Sequence, residues 1–144
     1  MAAPAPAAPA NPPLRSHAAG MAIGLAGGLV STGFSALWSE RDALAYNAML
    51  LTGIGWVYLG FAIADGRHSS IGVQVVSGLV FLNLAFFGYR ADSRLVIGLG
   101  FIAHGVWDWL HHNHRGPTEV RTYYPPFCAV ADIVIGIPLL AQWV

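Results

Sequence analysis

The chain has 144 residues, of which 56% are hydrophobic and only 10% charged, well below the quarter or so of charged residues that soluble domains carry. This composition excludes an ordinary water-soluble domain and indicates an integral membrane protein. The formal net charge is zero and every basic residue is a scattered arginine, so a basic patch for nucleic acid is excluded too. The single cysteine excludes an intramolecular disulfide bond.

The N-terminal region begins with alternating alanine and proline, which favours extended chain with nothing to pack, and we predict that residues 1–17 form a disordered tail. The first apolar segment covers residues 18–38, and its Gly20, Gly24 and Gly28 recur at every fourth position. Such a row leaves one helix face almost bare, so another helix can approach it closely. The approaching helix is either a neighbour in the bundle or a second copy of the chain in a homo-oligomer.

Four more apolar segments are long enough to cross a hydrocarbon core of about 30 Å. They cover residues 43–64, 70–89, 95–112 and 124–143. Short polar turns join most of them, so consecutive spans are expected to be antiparallel neighbours. The sequence therefore predicts an all-α fold in which residues 18–144 form one multi-pass membrane domain of five spans, with the lipid bilayer as its main partner.

An odd number of spans places the two termini on opposite sides of the membrane. The side of the N-terminal tail has four arginines and the other side has three, which favours a cytoplasmic N-terminus. Histidine is distributed less evenly than arginine, because the histidines at loops and helix ends all lie on the side of the tail: His17, His68, His111, His112 and His114. We call this side the histidine-rich face.

The fourth span ends in the stretch from His104 to His114, which holds four of the six histidines. In a helix of about 3.6 residues per turn, His104, Asp108 and His111 lie on one face, with His112 just beyond Asp108. Imidazole and carboxylate groups are ligands for Zn²⁺ or non-haem iron, and both also carry protons. The pattern therefore predicts a histidine and aspartate site near the histidine-rich face.

The fifth span contains a carboxylate, Asp132, well inside its apolar run. A charge at the centre of a membrane helix costs about 2.5 to 3.5 kcal/mol, so Asp132 should face the bundle and have a partner. His104 lies seven residues before His111, and Asp132 lies seven residues after Pro125, so the two side chains are expected at equal depth, about 10 Å from the histidine-rich face. We predict that Asp132 reaches His104 between the fourth and fifth spans.

Three interpretations of this cluster are open. In a metal centre, Zn or Fe would be held by His104, His111, His112 and Asp132. Asp108 or Asp132 would then be the general acid or base of a hydrolase or oxidase that acts on a lipid or another apolar substrate. In a metal-free relay, the same groups would transfer protons. In a non-catalytic membrane component, His104 and Asp132 would only pin two helices together.

The pattern His104-x-x-x-Asp108-x-x-His111-His112 resembles the histidine boxes of membrane fatty-acid desaturases and hydroxylases, which surround a di-iron centre. Those boxes have a second histidine at the position of Asp108, and six histidines are too few for such a centre. The five-span plan and the Trp-Asp-Trp-Leu-His-His run more closely resemble a family of small polytopic membrane proteins of bacteria and fungi without an assigned function. That resemblance implies a fold and leaves the activity open.

Overall fold

The computed structural model describes residues 14–66, 68–112 and 116–141. Within these ranges the chain is helical, with no β-strand, which confirms the predicted all-α class. The helices are α1 (Leu14–Ser35), α2 (Glu40–Gly55), α3 (Val57–Asp65), α4 (His68–Arg90), α5 (Arg94–Leu110) and α6 (Tyr124–Ala141).

Four stretches of the described chain are long enough and apolar enough to cross a membrane: Ser16–Ser35, Glu40–Asp65, Ser70–Arg90 and Tyr124–Ala141. Helix α5 has 17 residues and rises about 25 Å. It is the shortest member of the bundle, whose other members are α1, the α2 and α3 pair, α4 and α6. It contacts α2, α4 and α6 and has a buried face along its whole length. Helix α5 is therefore the inner helix, and the side chains that it carries meet those of three neighbours.

The helices alternate in direction, as the short turns predict. Helix α6 packs between α1 and α5, and α5 packs in turn on α2 and α4. At the histidine-rich face, the ring of His17 in α1 meets that of His112, with centroids 4.8 Å apart. At the other end of the bundle, Arg94 pairs with Glu40 at 3.3 Å. These contacts place the start of α1 and the end of α5 on one side, and the starts of α2 and α5 on the opposite side.

The second predicted span, residues 43–64, is not one continuous helix. Helix α2 ends at Gly55, and α3 begins after Trp56. Close contacts with α4 stabilise this interruption. Phe81 of α4 packs directly on Gly55, and the ring of Trp56 packs on Gly78 of α4. The last carbonyls of a helix have no partner within it. The break therefore offers backbone acceptors to side chains of other helices, in the middle of a membrane span.

Helix α1 begins at Leu14, which corrects the sequence prediction at the end of the tail. Residues 14–17, predicted to be disordered, belong to the helix. The rest of the predicted tail, residues 1–13, lies outside the described residues. Helix α6 begins at Tyr124, as predicted, and continues through Pro138.

The glycine row of α1 packs against α6 of the same chain. A methyl group added at Gly24 would collide with the backbone carbonyl of Phe127, and one added at Gly20 would collide with that of Tyr123. Gly28 also lies against α6, where an added methyl group would meet the side chain of Val134. The close approach predicted from the row is confirmed, and the approaching helix is a neighbour in the bundle. This face is covered within one chain, so it is not a free surface for the homo-oligomer considered from the sequence.

The α1 and α6 contact generates a stability prediction. Gly24→Ala is expected to lower the free energy of unfolding by about 1 to 3 kcal/mol, because a backbone carbonyl cannot move aside for the added methyl group. Gly27→Ala is the matched control, since position 27 lies on the same helix in open space. That control is expected to be neutral or to gain up to about 1 kcal/mol of helix propensity. Unfolding of both variants in detergent measures the difference, and equal stabilities would contradict this packing.

Candidate functional site

His104 on α5 is the centre of the site and is 1% exposed. Its Nδ1 atom lies 2.6 Å from Oδ2 of Asp132 on α6 and 3.3 Å from Oδ2 of Asp108, one turn further along α5. Both carboxylates are buried. The predicted meeting of His104 and Asp132 is confirmed. Asp108, which the sequence places on the same helix face as His104, joins the pair directly.

The other ring nitrogen of His104 contacts the broken second span. Its Nε2 atom donates to the backbone carbonyl of Ile54 at 3.2 Å. Ile54 is the second-last residue of α2, where helix geometry leaves carbonyls without an intrahelical partner. Because a carbonyl only accepts, Nε2 carries a hydrogen and Nδ1 is the atom directed at the carboxylates. The orientation of the imidazole is thus fixed by three helices.

Without a cation bound to them, Nδ1 of His104 and Oδ2 of Asp132, 2.6 Å apart, share a hydrogen bond, so one of the two atoms carries the hydrogen. If that hydrogen belongs to His104, the imidazole is a cation facing two carboxylates. If it belongs to Asp132, a neutral acid faces a neutral imidazole, and Asp108 is the remaining acidic group. In either arrangement Asp108 is an acidic side chain in an interior where an uncompensated charge is costly.

Two buried polar groups beside His104 lack hydrogen-bond partners among the described residues. They are both carboxylate oxygens of Asp108 and the hydroxyl of Tyr58 on α3. The hydroxyl lies within electrostatic range of the Asp108 carboxylate, but the two form no hydrogen bond of ordinary geometry. Buried polar side chains are nearly always satisfied in folded proteins. The Asp108 oxygens and the Tyr58 hydroxyl are therefore groups that a bound cation, a water molecule or a polar group of a substrate would satisfy.

The three side chains of the cluster could together hold a metal ion. His104, Asp108 and Asp132 each offer one ligand atom, and these three atoms lie within 4.8 Å of one another. A histidine that binds metal usually donates its second N–H to a carbonyl or carboxylate, as His104 does to Ile54. One imidazole with two carboxylates suits Zn²⁺ or Fe²⁺, and three protein ligands leave a coordination position for water or substrate.

His111, predicted as a metal ligand, belongs to a different network. Its Nδ1 atom donates to the carbonyl of Trp107 at 2.9 Å, and its Nε2 atom accepts from the amide of Gln74 at 3.0 Å. The same amide donates to the hydroxyl of Thr118 at 2.9 Å. The ring of Tyr58 lies against His111 with centroids 4.2 Å apart. Both nitrogens of His111 are engaged, so the structure does not bring this residue to the cluster.

His112, the other predicted ligand, also lies away from the cluster. Its ring stacks on Trp109, with centroids 4.9 Å apart and an interplanar angle of 16°. On its other side it meets the edge of His17. These rings form part of an aromatic belt at the histidine-rich face, where amphipathic rings are usual in membrane proteins. His114 lies outside the described residues.

Three contributors to the site and its surroundings were not singled out from the sequence: Ile54, Tyr58 and Thr118. The signal for Ile54 is its position between Gly53 and Gly55, because two glycines in one span favour a helix break. Tyr58 and Thr118 have no motif of their own. Their place at the site follows from the break in the second span and from the path of the loop before α6.

Residues 19–143 match the model of DUF6010, a family of unknown function. The chain belongs to this family. No match is found among curated proteins or among solved structures. The expected resemblance to a family without an assigned function is thereby confirmed. The donor set of one histidine and two aspartates differs from a histidine-rich di-iron centre, so the likeness to desaturase boxes does not extend to the site.

The network around His111 generates a second stability prediction. Gln74→Ala is expected to lower the free energy of unfolding by about 1 to 3 kcal/mol, because His111 and Thr118 would lose a buried hydrogen-bond partner. Asn83→Ala on the same helix is the control, since Asn83 is exposed and bonds the Leu79 carbonyl of its own helix. Thermal unfolding in detergent compares the two variants. If Gln74→Ala were as stable as the control, the network would not hold α4 and α5 together.

Proposed function

We propose that this protein is a membrane enzyme that uses a divalent metal held by His104, Asp108 and Asp132 to transform a lipid or another apolar molecule. One observation carries the proposal. Both oxygens of Asp108 are buried without a hydrogen bond, beside a histidine whose second nitrogen is already anchored by Ile54. A metal cation at this position would balance both carboxylates, whereas a protonated His104 would balance only one of them.

The residues of the cluster take distinct roles in this proposal. His104 binds the metal through Nδ1, with its ring held in place by the carbonyl of Ile54. Asp108 and Asp132 supply oxygen ligands, and one of them also serves as general acid or base. A metal held by these residues would supply the chemistry of a hydrolase or an oxidase, by activating a coordinated water molecule or by polarising a substrate oxygen. The hydroxyl of Tyr58 is placed to donate to an oxygen bound between it and Asp108.

A groove between α4 and α5 supports lateral entry of an apolar substrate. It has a volume of about 460 Å³, and its lining includes Val76, Val80, Phe81 and Trp107. Val76 is 62% exposed, so the groove opens on the surface that faces lipid. The buried ring of Phe81 meets the ring of His104 edge-on, with centroids 4.7 Å apart. A single aromatic ring therefore separates the groove from the cluster.

The orientation of the site in the membrane is also a proposal. The cluster lies closer to the histidine-rich face, which carries four of the seven arginines in the sequence. Because positively charged residues favour the cytoplasmic side, we assign this face to the cytoplasm. The proposed substrate would then enter from the bilayer, and polar reactants would arrive from the cytoplasmic side.

A second candidate function is non-catalytic, and the bonding of His104 favours it. This one side chain ties α5 to α6 through Asp132 and α5 to α2 through Ile54. The cluster could therefore stabilise the bundle without metal. A metal-free cluster also shares a hydrogen between His104 and Asp132, which is the arrangement of the proton relay considered from the sequence. Metal content separates these alternatives from the metal-dependent enzyme.

Metal analysis of the detergent-purified protein tests the proposal. Protein stripped by a chelator and reloaded with Zn²⁺ or Fe²⁺ is expected to retain stoichiometric metal after dialysis. His104→Ala and Asp108→Asn are expected to weaken metal affinity strongly. Loss of a residue that only hydrogen-bonds to a metal ligand costs roughly 10- to 100-fold in affinity, and loss of a ligand itself should cost more. His112→Ala is the matched control, because His112 belongs to the aromatic belt, and it is expected to retain metal.

Circular dichroism of each variant shows whether lost metal reflects a lost ligand or a lost fold. Asp108→Asn is the decisive variant, since it preserves the shape of the side chain and removes its charge. If folded wild-type protein retains neither Zn²⁺ nor Fe²⁺, the proposed metal-dependent activity is refuted and the non-catalytic function remains. Equal loss of metal in His112→Ala and His104→Ala would place the metal outside the cluster.

A further inference from the structure

A second cavity lies at the end of the bundle opposite the histidine-rich face. Its volume is about 300 Å³, at the lower end of the range of about 300 to 1,000 Å³ for small-molecule sites. None of His104, Asp108 and Asp132 lines it. Its walls come from α1, α2, α5 and α6 and the turn after α1, and the lining residues that matter here are Thr32, Ser35, Trp38, Asn47, Arg94 and Pro138.

Pro138 explains how α6 forms one wall of this cavity. Proline has no N–H, so the carbonyl of Val134, four residues earlier, loses its helical hydrogen bond. The hydroxyl of Thr32 on α1 donates to that carbonyl at 3.4 Å. The missing backbone bond is thus replaced by a contact between two helices. The wall beside the proline is a hydrogen-bonded feature of the fold rather than a gap in its packing.

Ser35 and Asn47 give the cavity a polar wall, although both are buried, at 8% and 2% exposed. Both amide hydrogens of Asn47 are engaged, with the Ser35 hydroxyl oxygen at 2.8 Å and the Ala43 carbonyl at 2.7 Å. The Oδ1 atom of Asn47 accepts no hydrogen bond from another described residue, and the hydroxyl hydrogen of Ser35 is not donated to one. The wall therefore offers one acceptor and one donor to an occupant.

The mouth of the cavity carries one charge of each sign. Arg94 and Glu40 both line the cavity and lie 3.3 Å apart. The side chain of Arg94 is 25% exposed and that of Glu40 is 90% exposed, so the positive group lies deeper than the negative one. Trp38, which also lines the cavity, is 48% exposed. Tryptophan at this position is typical of the level of lipid headgroups.

We propose that this cavity binds the headgroup of a phosphatidylethanolamine-type lipid. The order of charges carries the choice, because the phosphate of such a lipid lies nearer the acyl chains than its ammonium group does. The deeper Arg94 therefore pairs with phosphate, and the exposed Glu40 pairs with the ammonium. An anionic lipid would leave Glu40 unmatched, and a choline headgroup has no N–H to donate to it. The glycerol oxygens meet Ser35 and Asn47.

Native mass spectrometry of the full-length protein in detergent tests this site. Phosphatidylethanolamine, phosphatidylcholine and phosphatidylglycerol with identical acyl chains are titrated in parallel. Phosphatidylethanolamine is expected to bind about tenfold more tightly than either of the others. Equal binding of the three lipids would overturn the proposal. Soluble phosphoethanolamine is a further arm, and binding as tight as that of the lipid would assign the cavity to a soluble ligand instead.

Two substitutions at the mouth test the charges separately. Arg94→Gln is expected to weaken phosphatidylethanolamine binding about tenfold, since a charge-assisted contact to phosphate is lost. Arg90→Gln is the matched control, because Arg90 is an exposed arginine near the same end that does not line the cavity. Glu40→Gln alters a side chain that is almost fully exposed to solvent. It is expected to abolish the preference for phosphatidylethanolamine over phosphatidylglycerol. An equal effect of Arg94→Gln and Arg90→Gln, or an unchanged preference in Glu40→Gln, would overturn the proposal.

Discussion

Two carboxylates and an imidazole share an interior where water and lipid give them no solvation, and the arrangement of the bundle depends on that constraint. His104 and Asp108 come from the inner helix α5, and Asp132 comes from α6. For these groups to meet, α6 must lie close to α5. The glycine row of α1 packs closely on the opposite side of α6 and so holds that helix in the bundle. The metal ion that we propose would balance the charge of Asp108.

The interruption of the second span gives the cluster its fourth polar group. In a continuous helix the carbonyl of Ile54 would accept from the backbone four residues later. With α2 ending at Gly55, that carbonyl accepts from His104, and the N–H of Trp56 is also directed toward it. Tyr58, in the first turn of α3, lies between the cluster and the network of His111. Broken membrane helices that present backbone groups to a buried site occur where ions or substrates bind.

The two proposed sites lie at opposite ends of the bundle and are separated by its apolar core. Leu51, Ile97 and Phe101 are fully buried in that core. The cluster of His104, Asp108 and Asp132 lies within the membrane. The second cavity, in contrast, has its charged groups at the level of the lipid headgroups. A protein that acts on lipid and also holds a structural lipid would need this separation, because each ligand then has its own entrance.

The sequence by itself determined the membrane class, the all-α fold and the equal depth of His104 and Asp132. Depth in a membrane helix follows from a fixed rise per residue, so counting along two spans is enough to match two side chains. Only the tertiary structure decided which neighbours those helices have. It packed the glycine row against a helix of the same chain, and it placed His111 beside Gln74 and Ile54 beside His104. The rotation of a helix about its axis depends on side-chain packing between helices, which no local pattern encodes. Gly53 and Gly55 favour a break in the second span, but the contacts of Gly55 and Trp56 with α4 fix its place.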